Sequence, residues 1–529
     1  MFLNSIVPYE KYKSISGSKY FVDKTEMIGE LLPGMEGETQ YICITRPRRF
    51  GKTVAANMLG AFFGKAADSR AVFEKLNIKK FDKYEAHLNR HNVIYIDFSE
   101  IPEKCGSYDQ YITRIIEGLK KDLQQEYAAE DGALWDMMTE IFQKTGDKYV
   151  FIMDEWDAVF HLPFVTEKER REFLLFLKSL LKSKVYVELA YMTGILPIAK
   201  YSDGSELNMF AEYNMALKKR FGEYFGFLDR EVDTLYKIYC NSVKKPGISR
   251  EDLRCWYDGY HTAGGEKMYN PRSVVCALTD DQLANYWTSS GTYDSVFGYI
   301  KDNVADVLND IAVLFAGEPV PAKMQEYAAV SMRFTTRDEI YSAMVVYGLL
   351  TYEDGYVFIP NRELMDSYAA MMKKEASLGY VHRLAKESQK MLEATLAGDA
   401  DTMAQILEYV HDTESPILAY NSETELAAVV NLAYLAARDR YRVEREDKAG
   451  KGYADFIFYP VKPEADSMIL ELKVGGSPDE AIRQIREKGY ALRLKGRAGE
   501  RGIYTGRILA VGISYDRETK KHRCKEVIL

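Results

Sequence analysis

YICITRPRRFGKT, Tyr41 to Thr53, decides the fold of the first half of this chain. Tyr41–Thr45 is a short apolar run, Thr53 opens a helical stretch reaching Phe63, and the turn between them carries Gly-Lys-Thr. A continuous apolar strand feeding a helix is the unit of a parallel sheet covered on both faces. The alternation repeats downstream. Apolar runs at Val93–Phe98, Tyr149–Met153 and Val185–Met192 are separated by helix-like segments such as Tyr108–Tyr127 and Glu167–Leu181. The expected class is therefore α/β.

A Gly-Lys-Thr at a strand–helix junction sets backbone N–H groups and a helix N-terminus against an anion. In such a loop Lys52 reaches the β- and γ-phosphates of ATP and the Thr53 hydroxyl ligates Mg²⁺. Gly51 lets the backbone approach closely, and Arg46, Arg49, Phe50 and Val54 complete the candidate nucleotide-binding set. Arg46 stands where GxxxxGK[ST] has its first glycine. About 100 residues later, Tyr149–Met153 ends in Asp154-Glu155. Asp154 is expected to hold the magnesium shell and Glu155 to polarise the attacking water. Thr193, closing the next apolar run, is either a γ-phosphate sensor or a plain strand-end threonine. Arg220 reads as part of a surface basic cluster rather than an arginine finger.

A second constellation lies near the carboxyl end. Tyr453–Tyr459 is strand-like and carries Asp455; a turn with Pro460, Pro463 and Asp466 leads to MILELKV, where Glu471 and Lys473 lie two apart. A period of two points both to one face, and neighbouring strands about 4.8 Å apart bring Asp455 beside Glu471 in a suitable register. Two carboxylates so placed form a hard-oxygen pocket for Mg²⁺ or Mn²⁺, with Lys473 orienting the nucleophile or screening the oxyanion. The helix expected at Pro478–Gly489 carries Gln484 toward the acids. An acid of the helix at Glu423–Ala437 is expected to complete the set, Glu425 being preferred to Glu423.

Between these ends, about Asp229 to Asp399, the pattern is mostly helical. Within it Thr336–Leu350 reads as a helix running into a hairpin turned at Asp354-Gly355, a winged-helix-like unit. The expected divisions are 1–228 for the phosphate-binding core, 229–300 for a helical lid, 301–399 for a helical connector and 400–529 for a second α/β domain. The length of 529 residues agrees, since about 150 per domain gives three or four.

Apolar residues at 47% and charged residues at 28% exclude a disordered, collagen-like or coiled-coil chain. No apolar run approaches the roughly 18 residues that would span a bilayer. MFLNSIVPYEKYK lacks the pattern of a secretory signal, and six scattered cysteines show no CxxC spacing, so a reducing cytoplasm is the expected home. The net charge of −9 hides a local excess: from Glu480 to Leu529 there are 13 Lys and Arg against 6 Asp and Glu. Arg483, Arg486, Lys488 and Arg493 are candidate contacts to a phosphate backbone.

Several blocks, in order, resemble the AAA-ATPase-like family of bacterial proteins: YFVDKTEMIGELL (from Tyr20), ITRPRRFGKTVAANML (from Ile44), DEWD (from Asp154), MTGILPIAK (from Met192), CWYDGYHTAGGEKMYNPRSVV (from Cys255) and NYWTSSGT (from Asn285). The family's own motif is RPRRFGK[ST], so the missing glycine is accommodated. The resemblance covers roughly the first 300 residues and implies a P-loop ATPase core with a helical lid. From about Tyr420 the chain resembles the PD-(D/E)XK nuclease superfamily, specifically the small domain that often follows the AAA-ATPase-like module. The motif reads Asp455, then Glu471-Leu-Lys473, then Gln484. That implies a metal-dependent phosphodiesterase core. The expected function is an ATP-binding and hydrolysing P-loop protein coupled to a magnesium-dependent nuclease-like domain acting on DNA or RNA, with an oligomer possible. The alternatives are an ATP-driven regulator whose nuclease-like domain binds without cleaving, and an interaction protein without turnover.

Overall fold

The computed structural model describes residues 1–35, 37, 39–198, 207–287, 304–315, 317–324, 336–374, 379–413, 423–449, 452–495 and 504–529. The end of the MTGILPIAK block and Thr288–Thr292 of the NYWTSSGT block lie outside them. The chain divides into two compact units, one built from Met1–Tyr299 with Pro321–Leu364, the other from Ile300–Val320 with Met365–Leu529.

The first unit is organised by a five-stranded parallel sheet. Its strands are β1 (Tyr41–Thr45), β2 (Asn92–Asp97), β3 (Tyr149–Asp154), β4 (Val187–Gly194) and β5 (Ala211–Asn214), in the order β2-β3-β4-β1-β5. Every residue of β3 is buried, as a strand covered on both faces requires. The four expected strands are present; β5 is an addition, because AEYN is short, polar and only half-buried. After β1 the helix α1 (Lys52–Phe63) is buried from Ala55 to its end, which is why its sequence is apolar all round.

Beyond the sheet, helices Asp229–Ser242, Arg250–Tyr257 and Pro271–Asp280 surround a small antiparallel sheet. Their core includes Val232, Leu235, Tyr239, Leu253, Tyr257 and Val274. Ser249 and Asn270 cap the second and third of these helices through their side-chain oxygens. Gly259, at φ +100°, lies so close to the Pro360 carbonyl oxygen that a Cβ would sit 2.0 Å from it, so no other residue fits there. The helix Arg337–Tyr347 and the hairpin Thr351–Glu353 with Tyr356–Phe358 form as the sequence indicates. Asp354 and Gly355, both at positive φ, make its two-residue turn.

The second unit holds a mixed five-stranded sheet of β6 (Tyr441–Ala449), β7 (Gly452–Pro460), β8 (Ser467–Val474), β9 (Ile508–Asp516) and β10 (Lys521–Ile528), paired in that order. Only β8 and β9 run parallel, joined through α3 (Pro478–Lys488); α2 (Glu423–Ala433) precedes the sheet. The expected central hairpin is β7–β8. The two outer strands β6 and β10 carry charged alternation rather than apolar runs, which concealed them in the sequence.

Candidate functional site

The strand order brings the first constellation together. β4 lies between β1 and β3, so the loop after β1, Thr193 at the end of β4 and Asp154 at the end of β3 meet at one edge of the sheet. The loop turns into α1 through Arg49 at φ +69° and Gly51 at φ +90°, leaving the first-turn amides of α1 without intrahelical acceptors. Lys52 is only 4% exposed. Its Nζ donates to the carbonyl oxygens of Arg46 and Pro47, both at 3.2 Å, and lies 3.7 Å from Glu155 Oε1.

Asp154 is fully buried. Its Oδ1 accepts from the Thr193 hydroxyl at 2.5 Å. Burial, reinforced by the neighbouring Glu155 charge, pushes its carboxyl up to about 6, while the hydroxyls of Thr193 and Thr53 hold it down. Asp154 Oδ2 is buried without a hydrogen-bond partner. An orphaned carboxylate oxygen beside the Thr53 hydroxyl fits a hard divalent cation, because it is costly as it stands and is satisfied by one.

Arg49, Phe50, Gly51, Lys52, Thr53 and Val54 line a cavity of about 520 Å³ together with Glu155. Much of the rest of its wall is apolar, from Tyr12, Phe21, Met27 and Phe227, and offers flat aromatic surface for a base, with Lys24 and Arg272 also on the lining. That wall escaped the sequence reading, although the block around Tyr20 signalled it. Arg46 is a correction. Its guanidinium is buried and donates to the carbonyls of Thr45 (2.8 Å), Tyr213 (2.7 Å) and Phe221 (3.1 Å), with the Phe225 ring 5.0 Å away. It ties β1 to the 213–225 segment instead of facing a phosphate. Arg220 reaches Glu30 and stacks on Phe221 at the surface. Asp157 accepts from the amides of Ile195 (3.1 Å) and Leu196 (2.9 Å) and so fixes the loop after β4; burial pushes it up to about 6.

A second buried acid is tied to this cavity. Glu363, fully buried, accepts from the Ser273 hydroxyl (2.9 Å) and from the amides of Tyr286 (2.7 Å) and Trp287 (2.8 Å). Arg49 donates to the carbonyl of the same Tyr286. Burial pushes Glu363 up to about 7 against those donors. Its folded value exceeds the ordinary 4.5, so its stabilisation is full below about 4.5 and is lost as pH rises toward 7. The stability of the parent protein relative to Glu363→Gln should fall by on the order of 3 kcal/mol over that window. Thermal midpoints of the two proteins across pH check this, and parallel pH profiles would refute it.

In the second unit Phe456 pairs with Leu470, so Asp455 and Glu471 follow on adjacent strands. Asp455 Oδ2 accepts from the Leu472 amide at 2.7 Å. Glu471 is 2% exposed, and its Oε1 receives Lys473 Nζ at 3.2 Å and the Gln484 amide. Burial first, and then the Asp455 charge, push Glu471 up to about 7, with Lys473 opposing. Asp455 is raised chiefly by burial, whereas the acids around Lys473 outweigh its desolvation and raise it. Gln484 also donates to the Tyr490 hydroxyl (3.3 Å), which donates to the Tyr453 carbonyl (2.7 Å). Tyr490, which closes the Gln484-Ile-Arg-Glu-Lys488-Gly-Tyr490 stretch, thus links Gln484 to β7. Of the two helix acids, Glu423, the second choice from the sequence, comes within 3.8 Å of Lys473 and raises Asp455. Glu471 Oε2 is buried without a hydrogen-bond partner, and that orphan again fits a divalent cation. Among the described residues no group of three or more His, Cys, Asp or Glu side chains is arranged to hold a metal. Two carboxylates suffice for magnesium, which keeps several waters.

Two family models match stretches of this chain. Residues 8–202 match the model of a family described as predicted AAA-ATPase, and residues 421–523 match that of the PD-(D/E)XK nuclease superfamily. An uncharacterised protein from the vnfD 5′ region of Azotobacter chroococcum mcd 1 is 28% identical over 284 residues, covering 52% of this chain and 51% of that protein. The chain thus spans about half the length of the curated relative it matches. Among solved structures, the Walker-type ATPase paby2304 of Pyrococcus abyssi is 13% identical with a TM-score of 0.35, covering 66% of this chain and 96% of its own. The ORC2 protein of Aeropyrum pernix is 11% identical with a TM-score of 0.30, covering 69% and 94%. No helix among the described residues is long and apolar enough to cross a membrane.

Proposed function

From a chain that carries a P-loop ATPase-like module and a PD-(D/E)XK nuclease-superfamily domain, we propose an ATP-hydrolysing protein whose second unit cleaves nucleic-acid phosphodiesters with magnesium or manganese. One observation carries the reading. Asp455, Glu471, Lys473 and Gln484 converge on one face of β7–β8–α3, with a carboxylate oxygen buried and unsatisfied among them. Such an arrangement is costly in a purely structural role and is relieved by a cation.

Asp455 and Glu471 would hold the metal at that site, and Asp154 with Thr53 would hold the magnesium of ATP. When bound, the ion supplies Lewis acidity that activates water and offsets charge on phosphorus. Lys473 places a fixed positive charge beside the reacting phosphate, and Gln484 with Tyr490 holds Glu471 in place. At the first site Lys52 exchanges the carbonyls of Arg46 and Pro47 for phosphate oxygens, and Glu155 orients water. Arg49, Phe50, Gly51 and Val54 shape the cavity for the nucleotide, and Thr193 positions Asp154. We assign the protein to the reducing cytoplasm on its scattered cysteines.

The test is cleavage of labelled DNA and RNA, single- and double-stranded, with Mg²⁺ or Mn²⁺ and with or without ATP. Cleavage that needs the metal and responds to ATP is expected. A protein that hydrolyses ATP but cleaves none of these substrates would instead be a regulator that binds without cutting.

A further inference from the structure

The last strand of the second unit carries a charge pattern that its packing does not require. β10 is an edge strand of the sheet. Along it His522 is buried, its ring against Tyr515, and burial pushes the Cys524 thiol up to about 12. The residues that alternate with them, Lys521, Arg523 and Lys525, are exposed. Residues two apart on a strand project from one face about 6.7 Å from each other.

The sheet register fixes which face this is. One row across three strands reads Glu471, Gly512, Lys525; the next reads Lys473, Ser514, Arg523; Asp516 and Lys521 continue the series. Residues paired across adjacent strands project from the same face. The three cations therefore share the face of Glu471 and Lys473, two strand spacings or about 10 Å away. The start of α3 lies on this face over Gly512, where a Cβ would meet the Pro478 carbonyl oxygen at 2.4 Å, so glycine there lets the helix seat against the sheet. Asp479 in its first turn pairs with Lys525. Asp516, whose carboxyl is lowered chiefly by the amides of Thr519 (3.2 Å) and Glu518 (2.9 Å) and least by Arg523, spends an oxygen on those amides.

We propose that Lys521, Arg523 and Lys525 form a phosphate track that holds a nucleic-acid strand with its scissile phosphodiester at Asp455 and Glu471. The track deepens the nuclease reading and rests on it. It adds to the cations of α3, Arg483, Arg486 and Lys488, and is in register with the acids. Cations on an edge strand also discourage pairing between copies. That role needs charge anywhere along the edge, and its loss would change association between copies instead of nucleic-acid affinity.

The experiment uses the full chain, a fluorescein-labelled single-stranded oligonucleotide, Ca²⁺ in place of Mg²⁺ to slow turnover, and anisotropy over a salt series. The triple variant K521Q/R523Q/K525Q should bind at least tenfold more weakly near 0.1 M salt. Its plot of log affinity against log salt should be shallower by about 2, each lost contact to a single strand being worth roughly 0.7. D479N, which releases Lys525, should tighten binding. The charge-retaining K521R/R523K/K525R should bind as the parent does, with thermal midpoints reporting that each variant folds. A triple variant with the parent's affinity and slope overturns the track, as does a charge-retaining variant that loses binding equally. A parent protein that binds no oligonucleotide removes the nuclease reading together with the track, so the two failures are distinguishable.

Discussion

Lys473→Ala should lower metal-dependent cleavage by roughly 100- to 1000-fold, the range seen when a positioned charge or donor is removed from a developing oxyanion. Two effects add. The Lys473 ammonium lies 3.2 Å from Glu471 and 3.8 Å from Glu423, and its own raised pKa keeps it charged at neutral pH. Without it the reacting phosphate loses a fixed positive neighbour. Glu471, already pushed to about 7, also loses the charge that favours its ionised form and holds its proton more tightly. A cation then competes with that proton, so the loss should be largest at low metal concentration and low pH and partly recovered by raising either. Initial rates on a labelled oligonucleotide across metal concentrations measure both parts. An unchanged rate with an unchanged metal dependence would place the chemistry elsewhere in the chain.

The second large effect is expected at Lys52. Its ammonium is buried among two carbonyl oxygens and Glu155, with Asp157 near enough to feel its charge. Lys52→Ala should weaken ATP binding and reduce hydrolysis at least about 100-fold, since a charge-assisted contact to phosphate is lost where little water replaces it. It also removes the cation balancing Glu155 and Asp157, so some loss of stability is expected. Lys52→Met keeps the packing of the side chain and separates the two effects. Nucleotide affinity by fluorescence titration and phosphate release by a coupled assay are the readouts. Parent-like hydrolysis by a folded Lys52→Met protein would rule out turnover at this loop.

The residues that were legible in the sequence are those whose chemistry is local. Gly51-Lys52-Thr53 sits between an apolar strand and a helix, and Asp154 follows directly on the apolar run Tyr149–Met153, so pattern alone pairs them. Glu471 and Lys473 share a face by the period of a strand, and the hairpin that brings Asp455 alongside is short. What stayed hidden depends on contacts far apart along the chain. Arg46 lies in the motif, yet carbonyls at Tyr213 and Phe221 claim it, and no spacing reveals that. Glu363 gathers Ser273, Tyr286 and Trp287 from 76 to 90 positions away. Glu423 and Glu425 lie on one exposed helical turn, and only the placement of Lys473 separates them. Strands β6 and β10 were hidden for a different reason: at the edges of a sheet one face needs no apolar residues, so the alternation reads as a charged loop.

The division of the chain also limits how the protein can be taken apart. Residues 300–320 belong with the second unit and 321–364 with the first, so the polypeptide passes between them three times. A plasmid ending near residue 300 would omit the helix and hairpin after Arg337 together with Glu363. One beginning there would carry an orphaned fragment of the first unit. No single truncation therefore separates the two units, and each activity is better assigned by point substitutions within the intact polypeptide.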